Sequence, residues 1–174
     1  SWYDAGARNF YNSVRPINSL EDMKGLKIRV QESEMMAEMV EALGAIAVPM
    51  AYDQVYSALQ RGIIDGAENN WPSYESTGHH EVAKYHTIDQ HTRVPEIQIC
   101  SQATWDKLSL EDQEIIRLCA QESALYEREL WVEREEQSKE IVTKNGVQSS
   151  VLSAEEKARF QVAVAEVYEK YCAE

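Results

Sequence analysis

Two short stretches of the chain carry polar side chains that could bind a small carboxylated molecule. The first ends near Arg29, whose planar guanidinium matches a carboxylate in a two-point contact. The second contains Asn69 and Asn70, whose amides can donate to a carboxylate and accept from a hydroxyl at the same time. A strand arginine also forms ordinary surface ion pairs, and asparagine is a common turn residue. The residue types alone therefore leave a structural interpretation open beside the binding one.

The elements around these residues predict that they meet at one edge of a sheet. Apolar residues alternate with Lys27 and Arg29 over residues 26–30, which is typical of a strand. A second strand begins at Ile63 and passes through a turn or bulge at Asp65-Gly66 before it reaches Asn69. Between them the pattern predicts helices over 34–43 and 53–61 and a buried strand over 45–50. This order predicts a largely parallel α/β layer, which binds ligands at the carboxyl ends of its strands.

Other residues raise alternatives that involve metal binding or catalysis. The histidines could form a metal site, but adjacent histidines do not easily face one ion and no HExxH pattern occurs, so hydrogen-bonded or solvated histidines are favoured. Asp65 and Glu68 could support acid–base chemistry, but no nucleophile motif or phosphate loop accompanies them. The sequence predicts no cofactor, no metal and no catalytic residue. The histidines are His79, His80, His86 and His91.

Composition excludes several classes of protein. The chain has 174 residues and a formal net charge of −13, so a nucleic-acid partner is not expected, because phosphate binding needs a basic surface. No apolar run approaches the roughly 20 residues that span a bilayer. Cys100, Cys119 and Cys172 lack metal-like spacing and do not fix the compartment.

A long helix dominates the second half of the chain. The pattern predicts one helix over 110–144, which at 1.5 Å per residue is roughly 50 Å long. A compact domain of this size is only about 40 Å across, so the helix is expected to brace two lobes. A break near Glu122 and an oligomerisation helix are the alternatives. A strand is expected over 96–102, another over 147–152, and a final helix reaches Cys172.

A series of motifs occurs in order along the first part of the chain: Gly6-Ala7-Arg8, Arg15-Pro16-Ile17-Asn18-Ser19, Glu21-Asp22-Met23-Lys24-Gly25-Leu26-Lys27-Ile28-Arg29, Leu43-Gly44-Ala45, Pro49-Met50-Ala51-Tyr52, Val55-Tyr56-Ser57-Ala58-Leu59-Gln60 and Asp65-Gly66-Ala67-Glu68-Asn69. In this order they resemble the substrate-binding proteins of TRAP transporters, the DctP family. The similarity continues more loosely to the end of the chain.

The resemblance implies a fold like that of type II periplasmic binding proteins. This chain would supply the second lobe and the C-terminal part of the first, and against the family it begins near the middle, so an absent N-terminal half is expected. The implied units are a ligand-binding lobe at 1–94, a crossover with a first-lobe segment at 95–109, the bracing helix at 110–146, and a C-terminal strand and helix at 147–174.

The resemblance also implies a ligand site. Arg29 corresponds to the arginine that pairs with the substrate carboxylate, Arg8 to a supporting arginine, and Asn69 to an asparagine that contacts the ligand. Aromatic side chains would wall the pocket, and an acid and a histidine would line it. The implied ligand-binding residues are Arg29, Arg8, Asn69, Tyr52, Trp71, Glu32 and His91.

The function that the resemblance implies is transport and not catalysis. The chain would belong to a periplasmic solute receptor that delivers a carboxylated solute to TRAP transporter membrane subunits. The run 67–74 resembles the subgroup that binds uronic acids. Alternatives are a sugar-acid-processing enzyme, or a fragment that oligomerises through its long helix if the N-terminal lobe is absent.

Overall fold

The computed structural model describes residues 1–93 and 95–172, which form a mixed α/β structure. The strands are β1 (Trp2–Tyr3), β2 (Ala7–Asn12), β3 (Lys27–Val30), β4 (Ile46–Pro49), β5 (Gly66–Asn69), β6 (Tyr85–Arg93), β7 (Glu96–Ile97) and β8 (Gln148–Val151). The helices are α1 (Glu34–Ala42), α2 (Val55–Gln60), α3 (Trp71–Ser76), α4 (His79–Val82), α5 (Gln102–Trp105), α6 (Leu110–Lys144), α7 (Ala154–Ala163) and α8 (Ala165–Cys172).

A six-stranded sheet with the order β4-β3-β5-β2-β6-β8 forms the centre of the structure. Strand β2 is antiparallel to both of its neighbours, whereas β3 is parallel to β4 and β5, and β6 is parallel to β8. The predicted parallel arrangement is therefore confirmed for β4, β3 and β5, whereas the insertion of β2 makes the six-stranded sheet mixed. A separate antiparallel pair, β1 with β7, joins the start of the chain to the segment after the sheet.

Both faces of the sheet are covered, because adjacent residues of a strand point to opposite sides. On β2, Phe10 enters one core with α1 and α7, and Tyr11 enters the other with α2, α3 and the end of α6. Ile28 and Val30 of β3 face the first core and are fully buried. Arg29 lies between them and must face the other side, which fixes its direction.

Several predicted elements differ in extent or burial. The strand predicted as buried over 45–50 is the edge strand β4, and Ile46 is 51% exposed. The strand predicted over 96–102 is limited to β7. The second core strand starts at Gly66, so the residues from Ile63 belong to the turn that precedes it. The predicted final helix is divided into α7 and α8, and α8 packs against α1.

The long helix is confirmed as a single element of 35 residues, with no break near Glu122. Its N-cap is Ser109, whose side chain accepts a hydrogen bond from the backbone of Asp112. The helix packs against α3 and β1, with Ser138 and Val142 buried, while Leu110 is 83% exposed. None of the helices in the described part of the chain is long and apolar enough to cross a membrane.

The histidine at position 86 lies in the second core without a polar partner. Its ring stacks on Trp71 with 3.7 Å between ring centroids, and neither ring nitrogen has a hydrogen-bond partner among the described residues. Burial lowers the pKa of His86 to about 3. Because this pKa lies below that of a histidine in the unfolded chain, His86 contributes stability above about pH 6.5 that is lost as the pH falls towards 3.

We expect His86→Phe to flatten the acid side of the stability profile. Phenylalanine keeps an aromatic ring against Trp71 but cannot bind a proton. The native protein should lose up to about 1.4 kcal/mol per pH unit through this group below about pH 6, and the variant should not. Urea unfolding at several pH values measures the slope, so a uniform change in stability does not affect the result. A shallower residual slope should remain from His79, whose pKa burial also lowers, to about 4. Equal slopes in the native and variant proteins would contradict this assignment.

Candidate functional site

The carboxyl ends of β3 and β5 open into a polar cavity of about 300 Å³. This volume lies at the lower end of the range for small-molecule sites. Its lining residues come from the sheet, from the turn after β4, from the start of α3 and from β7. They are Arg8, Arg29, Gln31, Tyr52, Asn69, Asn70, Ser73 and Glu96.

Arg29 is a buried cation with no carboxylate partner in the described part of the chain. Its side chain is held by a backbone oxygen, because Nε and Nη2 both donate to Met50 O at 2.9 and 2.7 Å. Nη1 has no hydrogen-bond partner among the described residues. Arg29 is only 4% exposed, and burial lowers its pKa. A fixed, poorly solvated guanidinium of this kind is suited to bind an anion from outside the chain.

Arg8, by contrast, is already paired with a buried acid. Nε donates to Glu68 Oε2 at 2.5 Å and Nη2 donates to Oε1 at 2.8 Å, while Nη2 also donates to the backbone oxygen of Glu68. The Glu68 side chain is completely buried. Burial would raise the pKa of Glu68, but hydrogen bonds from Arg8 and His91 outweigh it and keep this pKa below its ordinary value.

The ion pair continues into a second acid on β6. His91 Nε2 lies 3.4 Å from Glu68 Oε2, and Nδ1 lies 2.6 Å from Asp89 Oδ2. Burial would lower the pKa of His91, yet the charge of Asp89 and the hydrogen bonds to both acids raise it to about 9. The histidine is therefore a cation at neutral pH, and the chain Arg8–Glu68–His91–Asp89 balances its own charge.

The two asparagines of the cavity have different roles. Asn70 is the N-cap of α3, since Oδ1 accepts from Ser73 N at 2.8 Å and Nδ2 donates to Ala5 O at 2.9 Å. Asn69 Oδ1 accepts from the Asn70 backbone N–H at 2.9 Å, and Nδ2 has no partner among the described residues. Asn69 thus adds a free donor to the cavity that holds Arg29.

Comparison with known proteins identifies the family. The model of the DctP family, bacterial extracellular solute-binding protein family 7, matches residues 1–174. The chain belongs to the DctP family. This membership confirms the resemblance seen in the motifs.

Relatives of this DctP chain are longer than the chain itself. A solute-binding protein of Chromohalobacter salexigens is 39% identical over 174 residues, which are all of this chain and 51% of the relative. A TRAP periplasmic solute-binding protein from Sulfitobacter sp. NAS-14.1, solved with bound β-D-galacturonate, is 47% identical with a TM-score of 0.95, over 99% of this chain and 57% of that one. The protein from Roseobacter denitrificans, solved with bound β-D-glucuronate, has the same identity, coverage and TM-score.

The structure separates the site residues predicted for this DctP chain into two groups. Four of them, Arg29, Arg8, Asn69 and Tyr52, line the polar cavity. Tyr52 is 46% exposed, and Arg29 Cζ lies 5.7 Å from the centroid of its ring. It therefore stands at the opening as a wall beside the free guanidinium.

The other predicted residues are placed elsewhere. Trp71 is 4% exposed and stacks on His86, which is a core position and not a wall of the cavity. Glu32 is exposed and is outside the described lining. His91 lines a second, more apolar cavity of about 300 Å³ between α1, β6 and the C-terminal helices. The residues described include no group of three or more metal-ligating side chains that could hold an ion.

Sequence reasoning missed three polar residues of the cavity. Gln31 follows Arg29 by two positions, so strand alternation could have predicted that it faces the same side. Ser73 lies in the first turn of α3, three residues after Asn70, and could have been inferred from that cap. Glu96 comes from β7, and no local signal connects it to the strands that end in Arg29 and Asn69.

We expect Glu68→Gln to destabilise the protein by roughly 3–5 kcal/mol, because Arg8 would remain buried without its counter-charge. Urea unfolding at neutral pH measures the loss. The control is Glu21→Gln, which removes the acid of an exposed pair with Arg159 and should cause a much smaller loss. Similar losses in the two variants would show that the buried pair contributes no more to the free energy of unfolding than the exposed pair does.

Proposed function

We propose that this chain is the carboxylate-binding part of a solute receptor for a TRAP-type transporter, and that its ligand is a uronic acid. The observation that carries the proposal is the buried Arg29 guanidinium, which lacks a carboxylate partner among the described residues and lines one cavity with Asn69. The solved relatives with bound galacturonate and glucuronate support the class of ligand.

The geometry assigns a distinct part to each group in binding. Arg29 pairs with the ligand carboxylate through Nη1 and the second N–H of Nη2, since Nε and the first N–H of Nη2 donate to Met50 O. Asn69 Nδ2 supplies a second donor, and Arg8, which Glu68 holds in place and neutralises, forms part of the same lining. Tyr52 covers one side of the site, where an aromatic ring can pack against a sugar ring.

Two further residues of the lining offer partners for the ligand hydroxyls. Gln31 and Ser73 each offer a donor and an acceptor, which suits a hydroxyl that both donates and accepts. A polyhydroxy acid satisfies these groups, whereas a short dicarboxylate would displace water from them without replacing its hydrogen bonds, which lowers affinity. This difference favours a sugar acid.

The proposal places the receptor outside the cytoplasm, with the membrane subunits of the transporter as its partner. Closure of two lobes over the ligand would present it to those subunits, as is common for periplasmic binding proteins. The chain spans 51% of the Chromohalobacter salexigens relative. The proposal therefore includes a second lobe that would form the other wall of the cleft. The division into four units and the oligomer expected from the sequence remain predictions.

We expect Arg29→Ala to weaken glucuronate binding by at least about 100-fold, because it removes a desolvated partner of the carboxylate. Arg29→Lys should recover only part of the loss, since an ammonium lacks the planar fork. Titration calorimetry on the natural protein measures the affinity, and circular dichroism tests the fold. Arg61→Ala, which removes an exposed arginine at the end of α2, is the matched control. Unchanged affinity in Arg29→Ala would remove Arg29 from the central role.

Catalysis has little support from the acids of the sequence. Both oxygens of Glu68 accept from Arg8, and its lowered pKa makes it a poor proton donor or acceptor near neutral pH. Asp65 lies before β5 and accepts from the backbone of Lys27 at 2.8 Å, at the opposite end of that strand from Asn69. The two acids therefore do not form a pair across the cavity.

We expect glucuronate to be recovered unchanged after long incubation with the protein while it binds stoichiometrically. Proton NMR of the sugar acid follows turnover, and calorimetry on the same sample gives the stoichiometry. If the native protein converts glucuronate and Arg29→Ala does not, the cavity would instead be the site of an enzymatic reaction.

A further inference from the structure

Glu96 brings a negative charge to the polar cavity. It lies on β7, paired with Tyr3 of β1, and is the one acidic residue in the described lining. Its carboxylate has no hydrogen bond or ion pair within the described part of the chain, and the residue is exposed. A carboxylate in this position is free to accept hydrogen bonds from a ligand.

The charges around the cavity can balance one ligand carboxylate and not two. Arg8 is neutralised by the bidentate contact with Glu68, and the remaining charge of that cluster is balanced between His91 and Asp89. Arg29 is then the one cation of the described lining without an acid partner. A second ligand carboxylate would meet Glu96 without a counter-charge, and like charges at short distance repel.

We infer that Glu96 determines specificity, and that it selects acids with one carboxylate and several hydroxyls over the corresponding dicarboxylates. Arg29 holds the carboxylate, and Glu96 accepts a hydrogen bond from a hydroxyl of the same ligand. Specificity is a difference between two affinities, so the repulsive element matters as much as the attractive one. The inference rests on the proposed function, since it needs a sugar acid in this cavity.

The test compares D-glucuronate with D-glucarate, which carries a second carboxylate where glucuronate has its anomeric carbon. Calorimetry on the natural protein and on Glu96→Gln measures both affinities. Glutamine keeps the size of the side chain and removes its charge. In the variant, the affinity for glucarate should rise at least about tenfold relative to the affinity for glucuronate. If the native protein shows no measurable affinity for glucarate, the variant should show one. Each ligand is compared with itself across the two proteins, so the ring form of glucuronate does not affect the result.

Glu133→Gln is the matched control, because it removes one negative charge from an exposed position on α6. Its ratio of glucarate to glucuronate affinity should equal that of the native protein, which separates a local effect from the change in net charge. Circular dichroism tests that both variants fold.

Two results would overturn the inference while the proposed function stands. One is equal binding of glucarate and glucuronate by the native protein. The other is an unchanged ratio of the two affinities in Glu96→Gln. A native protein that binds neither acid would instead overturn the proposed function.

Discussion

Two arginines are buried at the same edge of the sheet, and they differ in what balances their charge. Arg8 shares two hydrogen bonds with a fully buried Glu68, whereas Arg29 is held only by the backbone oxygen of Met50. Removing an ion from water costs several kcal/mol, which a good partner offsets. The chain therefore pairs one guanidinium internally, whereas the other has no acid partner among the described residues, and under the proposed function the ligand carboxylate is that partner. The pKa values agree with this difference, since burial lowers the pKa of Arg29, whereas for Arg8 the hydrogen bonds and charge of Glu68 outweigh burial and raise the pKa.

The position of Arg8 depends on an irregularity between β2 and β6. The register shifts between Arg8 and Phe10, and Gln90 on the facing strand has a φ of 54°, which is unusual for a residue other than glycine. Side chains hold this bulge in place, because Asn9 Oδ1 accepts from Gln90 N at 3.1 Å and Asp89 Oδ1 accepts from Phe10 N at 3.0 Å. Asp89 also contacts His91, so the acid that supports the bulge belongs to the buried charge network as well.

The parts of the site that the sequence predicts depend on patterns within a single strand or helix. Strand alternation fixes the direction of Arg29, and β5 carries Asn69 to the same edge because it runs parallel to β3. The long helix follows from its caps and its length. Other assignments depend on pairing between distant segments. Glu68 alternates with Asn69 on one strand, and only the register with β2 brings it to Arg8. Trp71 was expected in a wall, but the packing of α3 against the sheet turns it into the core.

The overall acidity of the chain does not oppose binding of an anion at this site. The net charge is −13, yet charges separated by more than about 10 Å are largely screened at physiological ionic strength. Much of the acid lies on α6, where many of the side chains are exposed to water. A ligand in the cavity interacts mainly with groups within a few ångströms, and there the balance is set by Arg29 and Glu96. Under the proposed function, the distribution of charge in the lining, and not its total over the chain, therefore decides which acids the cavity accepts.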